Sequence, residues 1–132
     1  LHLTADLHQC GCERHWLTDA DWLGKCCMHA VMDAGLQAVA QLFHTFPAST
    51  RGPGGVTATV LLGESHLCVH TWPEQGAVTL DVYVCNFGGD HSAKAHALMN
   101  ELTRWFQPLQ VEKNHLLRGE ITAHPNATSA KV

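Results

Sequence analysis

The sequence has few charged residues and no excess of positive charge. Of its 132 residues, 15% are Asp, Glu, Lys or Arg, and 12 acidic side chains outnumber 8 basic ones, which gives a formal net charge of -4. A protein that binds nucleic acid regardless of its sequence needs a basic face to displace counterions from phosphate. The charge balance therefore excludes that class, and we expect no nucleic-acid partner.

Long hydrophobic runs are also missing. No apolar stretch approaches the roughly 20 residues that a membrane-spanning helix needs. The first ten residues do not resemble a signal peptide, because Asp6, His8 and Gln9 interrupt any apolar stretch. We therefore expect a cytoplasmic protein with no membrane partner.

The chain has enough hydrophobic residues to form one packed domain. Hydrophobic residues make up 45% of the sequence, and 132 residues are one domain's length. No repeat or linker divides the chain. We expect a single domain over residues 1–121 and a flexible tail over 122–132, which is small and polar.

Hydrophobic periodicity predicts six strands and two helices in the order β-α-β-β-β-β-α-β. Thr18 or Asp19 offers an N-cap for the first helix and Gly35 a C-cap. Asp90 caps the second helix and Pro108 ends it. The expected strands are 3–8, 36–46, 56–62, 66–71, 77–84 and 109–117, with a connector at 11–15 and a Pro- and Gly-rich loop at 47–55.

This order predicts an α/β sandwich of the α+β type, with a mostly antiparallel sheet and both helices on one face. The middle strands alternate valine or alanine with threonine, as in Val56 to Val60. If helices cover one face, the opposite face is expected to be half apolar. Such a face favours dimerisation by stacking of two sheets.

Cysteine and histidine are unusually frequent, with 6 Cys and 11 His. Structural zinc sites favour ligand pairs spaced by two to four residues, and neither Cys10-Gly-Cys12 nor Cys26-Cys27 has that spacing. We therefore expect no metal site and interpret most of these cysteines as small buried hydrophobic residues. Most histidines share no spacing and are interpreted as surface or core residues.

One segment, residues 63–74, concentrates reactive side chains between two strands. It carries two carboxylates, a hydroxyl, a thiol and two imidazoles: Glu64, Ser65, His66, Cys68, His70 and Glu74. Alternation along a strand places His66, Cys68 and His70 on one side. Antiparallel pairing is expected to bring Cys85, on the next strand, and Thr57, on the preceding one, to the same small region.

Several functions remain open for this segment. A serine hydrolase elbow is disfavoured, because Ser65 lies between two strands and no glycine follows it. A metal pair of His66 and His70 has a spacing that shares a face on a helix, whereas the pattern here is that of a strand. Taken singly, Ser65 is a turn residue and the histidines are core groups.

Taken together, the residues resemble a known family. Glu64-Ser-His-Leu67 and His70-Thr-Trp-Pro-Glu74, followed by Asp81-Val-Tyr-Val-Cys85, are similar to the self-cleaving core of the prokaryotic S-adenosylmethionine decarboxylase proenzymes. His2 to Asp6 and Phe43 to Phe46 resemble that family at the right separations. The resemblance spans roughly residues 2–120.

The resemblance implies that the chain cuts itself and forms a covalent pyruvoyl cofactor from Ser65. Ser65 would attack the carbonyl of Glu64, and cleavage would give a β chain of residues 1–64 and an α chain of residues 65–132. In this family the histidine that matches His70 acts as a proton acceptor in processing. A hydroxyl that matches Thr57 assists it, although the family usually has serine there.

For catalysis, the resemblance implies decarboxylation of S-adenosylmethionine to the aminopropyl donor of spermidine and polyamine biosynthesis. The pyruvoyl carbonyl forms a Schiff base with the substrate amine and accepts the electrons released with CO2. Cys85 matches the family's proton donor. Glu74 matches the acid that binds the ribose hydroxyls, and Phe46 matches an aromatic that stacks on adenine. The site is expected to form across the interface of a homodimer of processed protomers.

Some positions depart from the family pattern. Cys68 stands where serine or threonine is usual, Asn86-Phe87 where a glycine is common, and the loop 48–54 is longer. Because relatives decarboxylate arginine or ornithine, those substrates are the alternative. A second alternative is an unprocessed, non-catalytic homologue that acts as a binding or regulatory subunit.

Overall fold

A computed structural model describes residues 1–119 of the chain, and these residues form one six-stranded sheet and three helices. The strands are β1 (His2–Cys10), β2 (Ala38–Thr45), β3 (Val56–Leu62), β4 (His66–Trp72), β5 (Ala77–Tyr83) and β6 (Pro108–Leu116). The helices are α1 (His15–Thr18), α2 (Ala20–Asp33) and α3 (Ser92–Phe106), and Pro73–Gln75 form a turn of 3-10 helix. The tail predicted at 122–132 lies outside the described residues.

The strands lie in the order β2-β3-β4-β5-β1-β6, and every neighbouring pair is antiparallel. Strand β1 lies between β5 and β6, so the start of the chain is enclosed by two strands from its second half. The predicted fold class, an antiparallel sheet with helices packed on it, is confirmed. Within residues 1–119 no helix is long and apolar enough to cross a bilayer.

The two faces of the sheet differ sharply in polarity. One face of the four central strands carries the buried apolar side chains, which pack with α2 and α3: Leu3, Ala5, Leu7, Val56, Ala58, Val60, Leu67, Val69, Val78, Leu80 and Val82. The other face, here called the open face, carries mostly Thr, His and Asp side chains from the same strands. The expectation of a half-apolar second face was wrong, because the valines all alternate onto the helix-covered side.

The residues predicted to cap the helices lie at or close to the observed helix ends. The Asp19 carboxylate accepts a hydrogen bond from the Trp22 backbone N–H at 3.0 Å, and Gly35 follows α2 with a φ of 77°. The Asp90 carboxylate accepts a hydrogen bond from the Ser92 N–H at 2.9 Å. Asp90 therefore lies one position earlier than His91, the residue that directly precedes α3. The connector expected at 11–15 instead leads into the short helix α1.

Thr71 joins three elements through one buried hydroxyl. Its Oγ1 accepts a hydrogen bond from the Val56 N–H at 2.8 Å and donates to the Leu17 carbonyl at 2.7 Å. We expect Thr71→Val to lower the free energy of unfolding by about 2–4 kcal/mol, because two buried backbone groups lose their partner. Urea unfolding measures this loss, with Ser65→Ala in every sample to prevent the cleavage that the sequence resemblance implies.

Thr103→Val is the matched control for that change. The Thr103 hydroxyl bonds only to the Met99 carbonyl of its own helix, at 2.8 Å, so its loss is expected to cost less than about 0.5 kcal/mol. Equal effects of the two substitutions would show that the Thr71 hydroxyl does not join the three elements energetically.

Candidate active site

Ser65 lies at the turn between β3 and β4. The turn residues Gly63 and Glu64 are closed by a hydrogen bond from the Leu62 N–H to the Ser65 carbonyl, at 2.9 Å. The Ser65 side chain is buried, with 6% of the residue exposed, while Glu64 faces solvent. The peptide bond between residues 64 and 65 therefore links a solvent-exposed residue to one whose hydroxyl is buried.

Cys85 lies directly beside Ser65. Its backbone N–H donates to the Ser65 Oγ at 2.9 Å, and its own Sγ accepts from the Phe87 N–H at 3.4 Å. Antiparallel pairing of β4 with β5 brings them together, since His66 lies opposite Tyr83 in the register. We call Glu64, Ser65 and Cys85 the Ser65 cluster.

Thr57 and His70 form a second group at the opposite end of the same hairpin. The two residues are register partners on β3 and β4, and the Thr57 Oγ1 lies 2.6 Å from the His70 Nδ1. With Phe46 and Glu74 they line a cavity of about 600 Å³. We call these four residues the His70 cluster.

The two clusters do not meet within one chain. His70 is five residues beyond Ser65 along an extended strand, which at about 3.3 Å per residue is about 16 Å. Five is an odd number, so the Ser65 side chain points to the helix-covered side and His70 to the open face. The expectation that Thr57 lies in one small region with Ser65 was wrong for the single chain.

A histidine–aspartate pair on the open face was not predicted, because His2 was interpreted as one of the scattered histidines of the sequence. The His2 Nε2 lies 2.7 Å from the Asp81 Oδ1 on the open face. The His66 ring packs 5.5 Å from Tyr83, and burial lowers the pKa of His66. The strand alternation of His2 and Asp81 was the available signal, but their pairing depends on the sheet register.

The cysteines differ in their surroundings. All six are free thiols. Burial raises the pKa of Cys10 to about 11 and that of Cys27 to about 12, so both are protonated at neutral pH. Among residues 1–119, no three His, Cys, Asp or Glu side chains are placed to hold a metal ion. Cys68 contacts the Thr59 hydroxyl at 3.4 Å in the middle of the open face.

Comparison with known proteins identifies the class to which this fold and site belong. The family model for S-adenosylmethionine decarboxylase matches residues 1–119. The S-adenosylmethionine decarboxylase proenzyme of Persephonella marina is 34% identical over 128 residues, covering 97% of this chain and 88% of that protein. The proenzyme of Aquifex aeolicus is 33% identical over 131 residues, covering 99% and 89%.

A solved structure agrees with the sequence comparisons. The crystal structure of the adenosylmethionine decarboxylase from Aquifex aeolicus superimposes with a TM-score of 0.72 and 29% identity, covering 92% of this chain and 95% of that one. The matched proteins are decarboxylases. The chain belongs to the S-adenosylmethionine decarboxylase family, and the resemblance found in its sequence is confirmed.

Proposed function

We propose that the protein decarboxylates S-adenosylmethionine to the aminopropyl donor of polyamine synthesis, after cutting itself between Glu64 and Ser65. The observation that carries this proposal is the family match over residues 1–119, with a buried serine hydroxyl held at an exposed turn. The name proenzyme, which the relatives bear, supports self-processing. Six free thiols suit the reducing cytoplasm, where we place the enzyme.

The Ser65 hydroxyl is the group from which the pyruvoyl group would form, by the following steps. Its Oγ attacks the Glu64 carbonyl carbon, and the peptide C–N bond is replaced by an ester. Elimination across the Cα and Cβ of residue 65 then breaks the Cβ–O bond and releases a chain that ends in the Glu64 carboxylate. Tautomerisation and hydrolysis by water release ammonia and leave a ketone at residue 65.

The sheet would hold the two fragments together after cleavage. The β chain, residues 1–64, contributes β1, β2 and β3, and the α chain, residues 65–132, contributes β4, β5 and β6. Because β4 pairs with β3 and β1 lies between β5 and β6, strands of the two fragments are interleaved in the sheet. Separating them would break three ladders of backbone hydrogen bonds, so we expect the fragments to remain associated without a covalent link.

Catalysis would use Cys85 beside residue 65. The pyruvoyl group would supply an electron acceptor: its carbonyl would condense with the substrate amine, and the group would then accept the electrons released when CO2 leaves. The Cys85 residue is only 4% exposed, and its backbone contacts the Ser65 side chain. We assign its thiol the delivery of a proton to the substrate carbon, in a position that excludes most water.

The cavity of the His70 cluster would bind the nucleoside part of the substrate. Its volume of about 600 Å³ lies within the range of small-molecule sites. Phe46 offers an aromatic face, 49% exposed, on which adenine can stack. Glu74 forms no ion pair within residues 1–119, so its carboxylate is free to accept hydrogen bonds from the ribose hydroxyls.

A complete site would then require two copies of the chain. The Ser65 cluster of one copy needs the His70 cluster of another, because about 16 Å of strand separates them within a chain. No helix in the described part of the chain covers the open face, on which Thr57 and His70 lie. We therefore propose a homodimer that packs through this face before cleavage and remains as a homodimer of processed protomers, with His70 as the processing base and Thr57 positioned beside it.

A substrate panel tests the proposed activity. The purified, processed protein is expected to release CO2 from carboxyl-labelled S-adenosylmethionine and to act at least about 100-fold less efficiently on arginine or ornithine, which lack the nucleoside. The Ser65→Ala variant, prepared in the same way, provides the background rate. Activity on arginine or ornithine alone would establish the alternative substrates, and an intact, inactive chain would favour the non-catalytic homologue.

A further inference from the structure

The loop that borders the proposed nucleoside cavity has a defined shape. Its base is closed by a hydrogen bond from the Phe46 N–H to the Gly55 carbonyl, at 2.9 Å. Near its tip, Ser49 and Gly52 exchange two backbone hydrogen bonds of 2.9 and 3.0 Å. Gly54 has no space for a side chain, because a Cβ there would collide with the Phe46 carbonyl. These contacts define the backbone of the loop on both sides of its tip.

Arg51 is the residue at that tip. Its backbone N–H donates to the Ser49 Oγ at 3.2 Å, and the residue lines the same cavity as Phe46 and Glu74. In the described part of the chain the ion pairs are formed by His2, His15 and Arg104, so the Arg51 guanidinium has no carboxylate partner there. An exposed, unpaired, planar cation thus borders a cavity that also has an aromatic wall.

We propose that Arg51 is a specificity-determining residue that contacts the nucleobase of the substrate from the side of the cavity formed by the loop. This inference rests on the proposed function, and it adds a contact that Phe46 and Glu74 do not supply. A guanidinium stacks on flat heterocycles and donates hydrogen bonds to ring nitrogens. Arginine and ornithine have no nucleobase to make this contact, so the Arg51 side chain favours the nucleoside substrate over basic amino acids.

The first test measures binding without the decarboxylation step. 5′-Methylthioadenosine carries the nucleoside but no amino acid, so its dissociation constant, measured by calorimetry on the processed enzyme, reports on the nucleoside site alone. We expect Arg51→Gln to weaken this binding roughly tenfold and Arg51→Lys to weaken it nearly as much, because lysine lacks the planar group.

The second test compares substrates. For Arg51→Gln, KM for S-adenosylmethionine is expected to rise roughly tenfold with kcat little changed, and the preference over ornithine to fall by about the same factor. Arg51→Lys is expected to lose nearly as much of this preference, because lysine lacks the planar group that stacks on the nucleobase. Intact mass confirms that each variant is processed, and circular dichroism confirms that it is folded.

Arg14→Gln is the matched control. The Arg14 Nη2 lies near Gly52, 3.5 Å from where a Cβ on that glycine would be, but Arg14 does not line the cavity. Arg14→Gln therefore removes the same charge as Arg51→Gln, near the same loop. Equal effects of the two Arg→Gln changes, or a change below about threefold in Arg51→Gln, would overturn the proposal. Absence of cleavage or of decarboxylation in the unmodified enzyme would instead refute the proposed function itself.

Discussion

Replacing Ser65 with alanine is expected to leave the chain in one piece and to reduce decarboxylation to the background rate. The hydroxyl that would break the bond after Glu64 is then missing, and residue 65 cannot become a pyruvoyl group. The fold should persist, because the turn is closed by the Leu62 N–H and the Ser65 carbonyl, which are both backbone groups. The change removes one acceptor, that of the Cys85 N–H, at a cost of about 1–3 kcal/mol.

Denaturing intact-mass measurement gives the answer directly. The unmodified protein is expected to give two fragments of roughly half the chain mass, of which the α chain lacks a free amino terminus. Under native conditions the same sample is expected to show the two fragments together, because their strands are interleaved in the sheet. Ser65→Ala is expected to give the full-length chain alone.

Ser92→Ala is a suitable control, because it removes a serine hydroxyl at the start of α3, bonded to Asn86 at 3.3 Å, and is expected to leave cleavage complete. Cleavage of the Ser65→Ala chain at residue 64 would contradict self-processing by Ser65 and would point to an external protease. A full-length unmodified protein would contradict it as well.

Much of the sheet was predictable because strand alternation is a local property. The expected bounds of β3 agree with the structure, and those of β4 and β5 differ by one residue at one end. Helix α1 was missed because four residues are too few to show a 3.6-residue period. It depends on tertiary packing instead, with Trp16 stacked 5.4 Å from Trp105 and Leu17 buried.

The candidate site was predictable in its residues but not in its arrangement. Ser65 and His70 are close in sequence, yet an extended strand carries them apart and onto opposite faces. His2 and Asp81 are 79 positions apart in sequence and lie 2.7 Å from each other, because β1 is inserted beside β5. Neither relation follows from composition or spacing, since both depend on which strands become neighbours.

Because the Ser65 cluster and the His70 cluster lie apart in one chain, we expect a second large effect. One inactive variant should be rescued by another when the two are combined. His70→Ala alone is expected to process itself about 100-fold or more slowly, because its base is missing. Ser65→Ala alone cannot be cleaved. When the two chains are produced together, a mixed dimer contains one intact Ser65 opposite one intact His70, so the His70→Ala chain is expected to be cut.

The extent of rescue is also defined. With equal amounts of the two chains and random pairing, about half of the His70→Ala chains fall in mixed dimers, so about half are expected to be cleaved. Mass spectrometry distinguishes the two chains if one carries a tag. Thr57→Val in place of His70→Ala should give the same pattern, since the Thr57 hydroxyl bonds to that imidazole.

The control for rescue is a pairing in which no chain has His70. Co-production of His70→Ala with the double variant Ser65→Ala, His70→Ala keeps the dimer but removes the base from both copies, so no cleavage is expected. Rescue in the first pairing and not in the second would establish that the site is shared.

Mixed dimers that form but do not cleave would show that Ser65 and His70 of one chain act together, which requires the hairpin to rearrange across about 16 Å before processing. The register of β3 with β4 opposes such a rearrangement, because it fixes His70 opposite Thr57 at the far end of the hairpin.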